Sequence, residues 1–161
     1  MNMPVVPSIL LVDDEENLSR TLAMILQREG YIVKTAASIK EARQCLEDDA
    51  YDLAFLDLKL PDESGLNFLP EVRSKFPDMP VVILTAYDKL DAAIEAVRKG
   101  ARDYLLKPID PPLIIKRVED ILAERQESGS QNNRYTRFKG LLKELHPESK
   151  PATPSSDKPS E

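Results

Sequence analysis

Five short apolar runs punctuate the chain, and each is followed by a stretch with helical spacing. The runs are SILLV (Ser8 to Val12), IVKTA (Ile32 to Ala36), LAFL (Leu53 to Leu56), VVIL (Val81 to Leu84) and DYLL (Asp103 to Leu106). Three of them are apolar at nearly every position, as expected of strands covered on both faces, whereas the more polar IVKTA suits a sheet edge. Leu18, Leu22, Ile25 and Leu26 recur at helical spacing, and Gly30 follows where that helix should stop. Ser38 to Glu41 has the S-x-x-E form of a capping box, with Ile39, Ala42 and Leu46 as the apolar stripe behind it and Cys45 packed nearby. Leu66, Leu69 and Val72 predict a third helix, and Leu90, Ala93, Ile94 and Val97 a fourth that ends at Gly100. Asp110 and Pro111 open a fifth, through Ile114, Ile115, Val118, Ile121 and Leu122. Strand and helix alternate five times, which predicts a parallel sheet with right-handed crossovers and helices on both faces.

After Arg125 the pattern changes. Residues 1–126 are assigned to the alternating domain, and residues 127–133 (ESGSQNN) to a flexible linker. Residues 134–146 follow as a short amphipathic helical segment with Tyr135, Phe138, Leu141, Leu142 and Leu145 on one face. Residues 147–161 read as a disordered tail rich in Pro and Ser. His146, the only histidine, is expected to be exposed and inert.

Length and composition narrow the partners. A chain of 161 residues with 42% hydrophobic content supports one domain with a real core plus an appendage. A formal charge of -6 makes nucleic acid an unexpected direct partner. A single cysteine provides neither a disulfide framework nor a thiolate metal site, which fits a reducing compartment. No apolar run approaches the roughly 18 residues of a membrane span, and no leader pattern opens the chain, so a cytoplasmic location is expected.

The chemistry gathers at the strands' carboxyl ends, where an open parallel sheet forms its binding crevice. Asp13 and Asp14 follow the first run, Asp57 the third, Thr85 the fourth and Lys107 the fifth. Taken singly, each has a plain explanation: the acids can favour a helix N-terminus through the macrodipole, and Thr85 can cap a loop. Together, three carboxylates at matching positions repel one another and call for a cation. Oxygen donors without His or Cys suit Mg2+, which keeps several waters and binds phosphate oxygens as well. Neither the G-x-x-x-x-G-K-S/T loop nor the G-x-G-x-x-G fingerprint is present, so a nucleotide is not cradled in the usual ways.

The segments LLVDDEEN, FLDLKLPDESGL, ILTAYD and DYLLKPID resemble the receiver domain of two-component response regulators, over about Ser8 to Arg125. The resemblance implies a flavodoxin-like, doubly wound (βα)5 fold with a five-stranded parallel sheet in the order 2-1-3-4-5. It implies Asp57 as the phosphoacceptor, taking its phosphoryl group from a sensor histidine kinase, a histidine phosphotransfer protein or a small phosphodonor. It assigns Asp13, Asp14 and Asp57 to an Mg2+ site completed by the backbone carbonyl of Lys59, and pairs Lys107 with the carboxylate and then with a phosphoryl oxygen. The Thr85 hydroxyl would move toward the phosphate, with Tyr104 swinging inward behind it. The Lys107–Pro108 bond is expected to be cis, which would let the ammonium point back into the site. Leu60 and Tyr87 depart from the commonest pattern, and Lys59 and Tyr87 are expected to restrict water's approach to the acyl phosphate.

On this resemblance the chain is expected to be a stand-alone receiver with a short C-terminal tail, a signalling phosphoacceptor and not an enzyme with a separate substrate, assisting only its own phosphotransfer and slow dephosphorylation. Output is expected through the surface of the fourth helix, fifth strand and fifth helix, toward a downstream protein or a second copy of the chain. Two alternatives stand beside it: a phosphorelay or phosphate-sink intermediate, and the N-terminal part of a longer transcriptional regulator.

Overall fold

The computed structural model of the protein describes residues 5–126. The linker, the amphipathic segment with His146 and the Pro/Ser-rich tail assigned above lie outside the described residues. The predicted alternation is present: β1 (Ser8–Val12), α1 (Glu16–Arg28), β2 (Ile32–Ala36), α2 (Ile39–Asp48), β3 (Leu53–Leu56), α3 (Gly65–Lys75), β4 (Val81–Thr85), α4 (Leu90–Arg98), β5 (Asp103–Leu106) and α5 (Pro111–Gln126). All pairings are parallel and the order is β2-β1-β3-β4-β5, so the order in which strands are laid down reverses about β1 while their direction does not. Thr85, placed just after the fourth strand by the sequence, is instead its last residue and pairs with Leu106.

Because neighbouring strand residues point to opposite faces, the sheet feeds two separate cores. Ile9, Leu11, Phe55, Val82, Leu84 and Leu105 pack against Leu22 and Leu26 of α1 and Ile114, Val118 and Ile121 of α5. Leu10, Val12, Leu56, Ile83 and Tyr104 pack on the other side with α2, α3 and α4. β2 is an edge strand, as its polarity predicts, and Ile32 at its start is 57% exposed.

The helices begin and stop for local reasons. Ser38 caps α2 by accepting from the Glu41 amide, and the Glu41 carboxylate accepts from the Ala37 amide, one residue before the Ser38 amide that the predicted capping box would use. α1 ends before Gly30, whose φ of 94° a side chain would oppose. The apolar face of α4 differs in part from the expected Leu90, Ala93, Ile94 and Val97: Ala93 is buried and Val97 packs at the core's margin, but the other fully buried positions are Ala92 and Ala96. On α3 the buried set includes Phe68 as well as Leu69 and Val72. Pro70 within α3 has no N–H to give the Leu66 carbonyl, and Lys99 Nζ, just past α4, donates to that carbonyl at 3.3 Å instead.

Candidate functional site

Three loops bring the site together. Asp13 and Asp57 follow β1 and β3, which are adjacent, and both backbones are pinned: the Asp13 amide donates to the Ala36 carbonyl and the Asp57 amide to the Val12 carbonyl, each at 2.9 Å. Lys107 follows β5 and reaches back to both carboxylates, with Nζ 2.6 Å from Asp13 Oδ2 and 3.0 Å from Asp57 Oδ2. Ligand oxygens of Asp13, Asp14 and Asp57 lie within 4.8 Å of one another, with Asp13 and Asp57 buried and Asp14 exposed. The predicted carboxylates and ammonium are therefore one constellation.

Its electrostatics follow from burial. Burial pushes the Asp13 carboxyl above its ordinary value, against the pull of Lys107 and the Glu15 amide. For Lys107 burial acts downward, but the hydrogen bonds and charges of Asp13 and Asp57 outweigh it and hold the ammonium above its ordinary value. Lys107 is thus a fixed cation between two carboxylates. Asp13 Oδ2 is buried against the Lys107 ammonium, and its Oδ1 accepts from the Glu15 amide at 2.9 Å. Three carboxylates whose ligand oxygens converge, with no nitrogen or sulfur donor among them, fit a hard, oxygen-seeking cation.

The loop from Asp57 to Gly65 closes on itself. The Lys59 amide donates to Asp57 Oδ1 at 3.1 Å, Lys59 and Ser64 form an antiparallel bridge, and the Gly65 amide donates to the Leu58 carbonyl at 3.0 Å. A β-carbon on Gly65 would stand 2.2 Å from the Asp57 carbonyl oxygen, so only glycine permits this closure.

On the other flank, the Tyr87 amide donates to Thr85 Oγ1 at 3.3 Å, and the Tyr104 hydroxyl donates to the Tyr87 carbonyl. Tyr104 is only 6% exposed, and burial pushes its phenol up to about 12. The ring expected to swing inward already stands inward in this conformation, held by the backbone after Thr85. Lys59 Nζ lies 4.8 Å from the centre of the Tyr87 ring, so the loop after β3 and the loop after β4 meet through these two side chains. The Lys107–Pro108 bond is cis, as expected.

Sequence reasoning missed several contributors. Glu15 Oε2 stands 3.8 Å from Lys107 Nζ and extends the acidic rim. Asp62 and Glu63, at the tip of the Asp57 loop, contact α2. The acid run Asp13 to Glu16 pointed to Glu15; nothing local pointed to Asp62, whose partners lie more than twenty residues earlier.

Residues 9–119 match the family model of the response regulator receiver domain. The alginate biosynthesis transcriptional regulatory protein AlgB of Pseudomonas putida is 47% identical over 103 residues, which are 64% of this chain and 23% of that protein. The chain thus spans about a quarter of the length of that curated relative. A CheY-like receiver domain from Methanospirillum hungatei superposes with a TM-score of 0.75 at 30% identity, covering 78% of this chain and all of the other. The response regulator TrrA of Thermotoga maritima, solved in complex with Mg2+ and BeF, gives 0.66 at 33% identity over 72% of this chain and 99% of its own.

Proposed function

The chain belongs to the response regulator receiver domain family, and from that premise we propose that it accepts a phosphoryl group on Asp57 in an Mg2+-dependent reaction and changes shape in response. One observation carries the proposal: Asp57 sits at the end of β3 with Lys107 Nζ at 3.0 Å and the Asp13 and Asp14 carboxylates in reach. Asp13, Asp14 and Asp57 would hold Mg2+ with the backbone carbonyl of Lys59. The ion would offset the negative charge of phosphoryl oxygens beside three carboxylates.

An Asp57 oxygen attacks phosphorus on a phosphohistidine, the P–N bond breaks, and its electron pair returns to the histidine nitrogen. Lys107, held charged by its two carboxylates, would pair with a phosphoryl oxygen, and the Thr85 hydroxyl would move toward another. The donor is a sensor histidine kinase, a histidine phosphotransfer protein or a small phosphodonor. The chain acts as a signalling phosphoacceptor in the cytoplasm and not as an enzyme with a separate substrate. Among the described residues no helix is long and apolar enough to cross a membrane.

Output passes through α4, β5 and α5 to a partner protein or a second copy, with the inward Tyr104 joining the site to that surface. The relatives favour a second reading, in which this receiver is the N-terminal part of a longer transcriptional regulator. AlgB is named as one, and the match covers only 23% of it. The expected lack of nucleic-acid contact is accordingly confined to the receiver itself. The relay reading remains an alternative output.

Incubation with acetyl phosphate and Mg2+, read by intact mass, tests the proposal. The chain gains one phosphoryl group only with Mg2+, and Asp57→Asn gains none. A phosphoryl group carried by Asp57→Asn would sink the assignment.

A further inference from the structure

We infer that Asp62 and Arg43 are positioning residues that fasten the tip of the phosphoacceptor loop to the first turn of α2 and so preset the loop for its cation. This rests on the reading of Asp57 given above and assigns work to residues outside the acidic cluster.

The root of the loop is closed by the Lys59–Ser64 bridge, and its tip, Pro61 to Glu63, protrudes toward α2. A helix leaves its first amides without internal partners. At α2, Glu41 serves the Ala37 amide and Ser38 serves the Glu41 amide, which leaves those of Ile39 and Lys40. Asp62 takes both: Oδ1 accepts from Ile39 and Oδ2 from Lys40, each at 3.0 Å. One carboxylate from the Asp57 loop thus completes the cap of a helix more than twenty residues earlier in the chain.

Arg43, one turn along α2, adds a second fastening. Its Nη1 lies 2.9 Å from Glu63 Oε2 at the loop tip, and its Nε lies 2.9 Å from Glu71 Oε2 on α3. The guanidinium stands 5.3 Å from the centre of the buried Phe68 ring, which fixes the plane from which both carboxylates are reached. Loop tip, α2 and α3 are joined through one side chain.

These contacts lie at the surface, where ion pairs add little to global stability. Their consequence is positional. Asp57 is at the root of this loop, and Lys59 is its second residue beyond. A loop already held in one geometry loses less freedom when a cation binds, so fastening raises cation affinity without adding a ligand. Coupling of this kind is reciprocal, so the cation must in turn strengthen the docking of the tip on α2.

The test uses the full chain with Mg2+ as probe, and reads the Mg2+ dissociation constant by calorimetry and exchange of the Ile39 and Lys40 amides by NMR. Asp62→Ala is expected to weaken Mg2+ binding about fivefold or more, Arg43→Gln to weaken it less, and Asp62→Asn, which keeps one acceptor oxygen, to recover part. In the wild type, Mg2+ slows exchange of the Ile39 and Lys40 amides, and Asp62→Ala removes that effect. Asp52→Ala serves as the structural control, because Asp52 bonds the Ser8 amide at 2.8 Å and Arg125 Nη1 at 2.9 Å away from the acidic cluster. It should lower the melting temperature and leave Mg2+ affinity unchanged. An Asp62→Ala chain with wild-type Mg2+ affinity, or wild-type Ile39 and Lys40 amides indifferent to Mg2+, overturns the inference while leaving the Asp57 reading intact. A wild-type chain that neither binds Mg2+ nor takes up phosphate overturns both.

Discussion

A methyl group at position 65 would be driven into the Asp57 carbonyl, a backbone atom that no rotamer change can move aside. Gly65→Ala is therefore expected to lower stability by about 1–3 kcal/mol, measured by urea denaturation, and to cost most of the phosphoryl uptake seen by intact mass. The rim makes a different prediction. With Lys59 Nζ over the Tyr87 ring, Lys59→Ala and Tyr87→Ala should each speed loss of the phosphoryl group several-fold, and an unchanged half-life in both would exclude water restriction by this pair. Asp62 offers a pH test. Its carboxyl lies below the ordinary value of 3.8 because the Ile39 and Lys40 amides hydrogen-bond its charged form. That contribution is complete above the ordinary value and vanishes as pH falls through the lower folded one. The melting-temperature gap between wild type and Asp62→Asn should accordingly close in that acid interval. Asp13, Asp57, Thr85 and Lys107 were legible in the sequence because a parallel sheet turns strand ends into one edge. Arg43 and Asp62 were not, because a contact between a loop and a distant helix start leaves no periodic trace.

At the scale of elements, Pro70 and Lys99 behave as a pair. The proline removes one backbone donor from α3, and the lysine beyond α4 supplies another to the same Leu66 carbonyl. Lys99→Met should cost about 1 kcal/mol in urea denaturation, the net worth of one hydrogen bond. In Pro70→Ala the backbone donor returns and the same substitution should cost less, so a double-mutant cycle should show coupling. Strictly additive effects would mean that the two residues are independent. The elements themselves were readable because the inner strands are apolar on both faces and most helices bury large side chains along one stripe. α4 was the exception. Its buried stripe is made of alanines, which carry little contrast against the polar residues around them, so Ala92 and Ala96 went unread while the half-buried Ile94 was taken for core.

For the whole molecule, activation is expected to change association. Leu106 on β5 and Leu113 on α5 are 42% and 43% exposed, and both belong to the proposed output surface. With Mg2+ and beryllofluoride, light scattering should report a doubled mass for the full chain, and Leu106→Glu should return it to the monomer value. A monomer in both would direct output to a separate protein. The overall architecture was legible because five alternations of strand and helix admit few topologies, although the strand order itself came from resemblance and not from spacing. The division of the interior into two cores has a longer reach than stability. A layer of backbone separates the packing of α1 and α5 from that of α2, α3 and α4, so a volume change on one flank needs no compensating change on the other. Over generations the sheet acts as a firebreak: one half of the protein is free to drift toward a new interlocutor while the opposite half keeps its inherited fit.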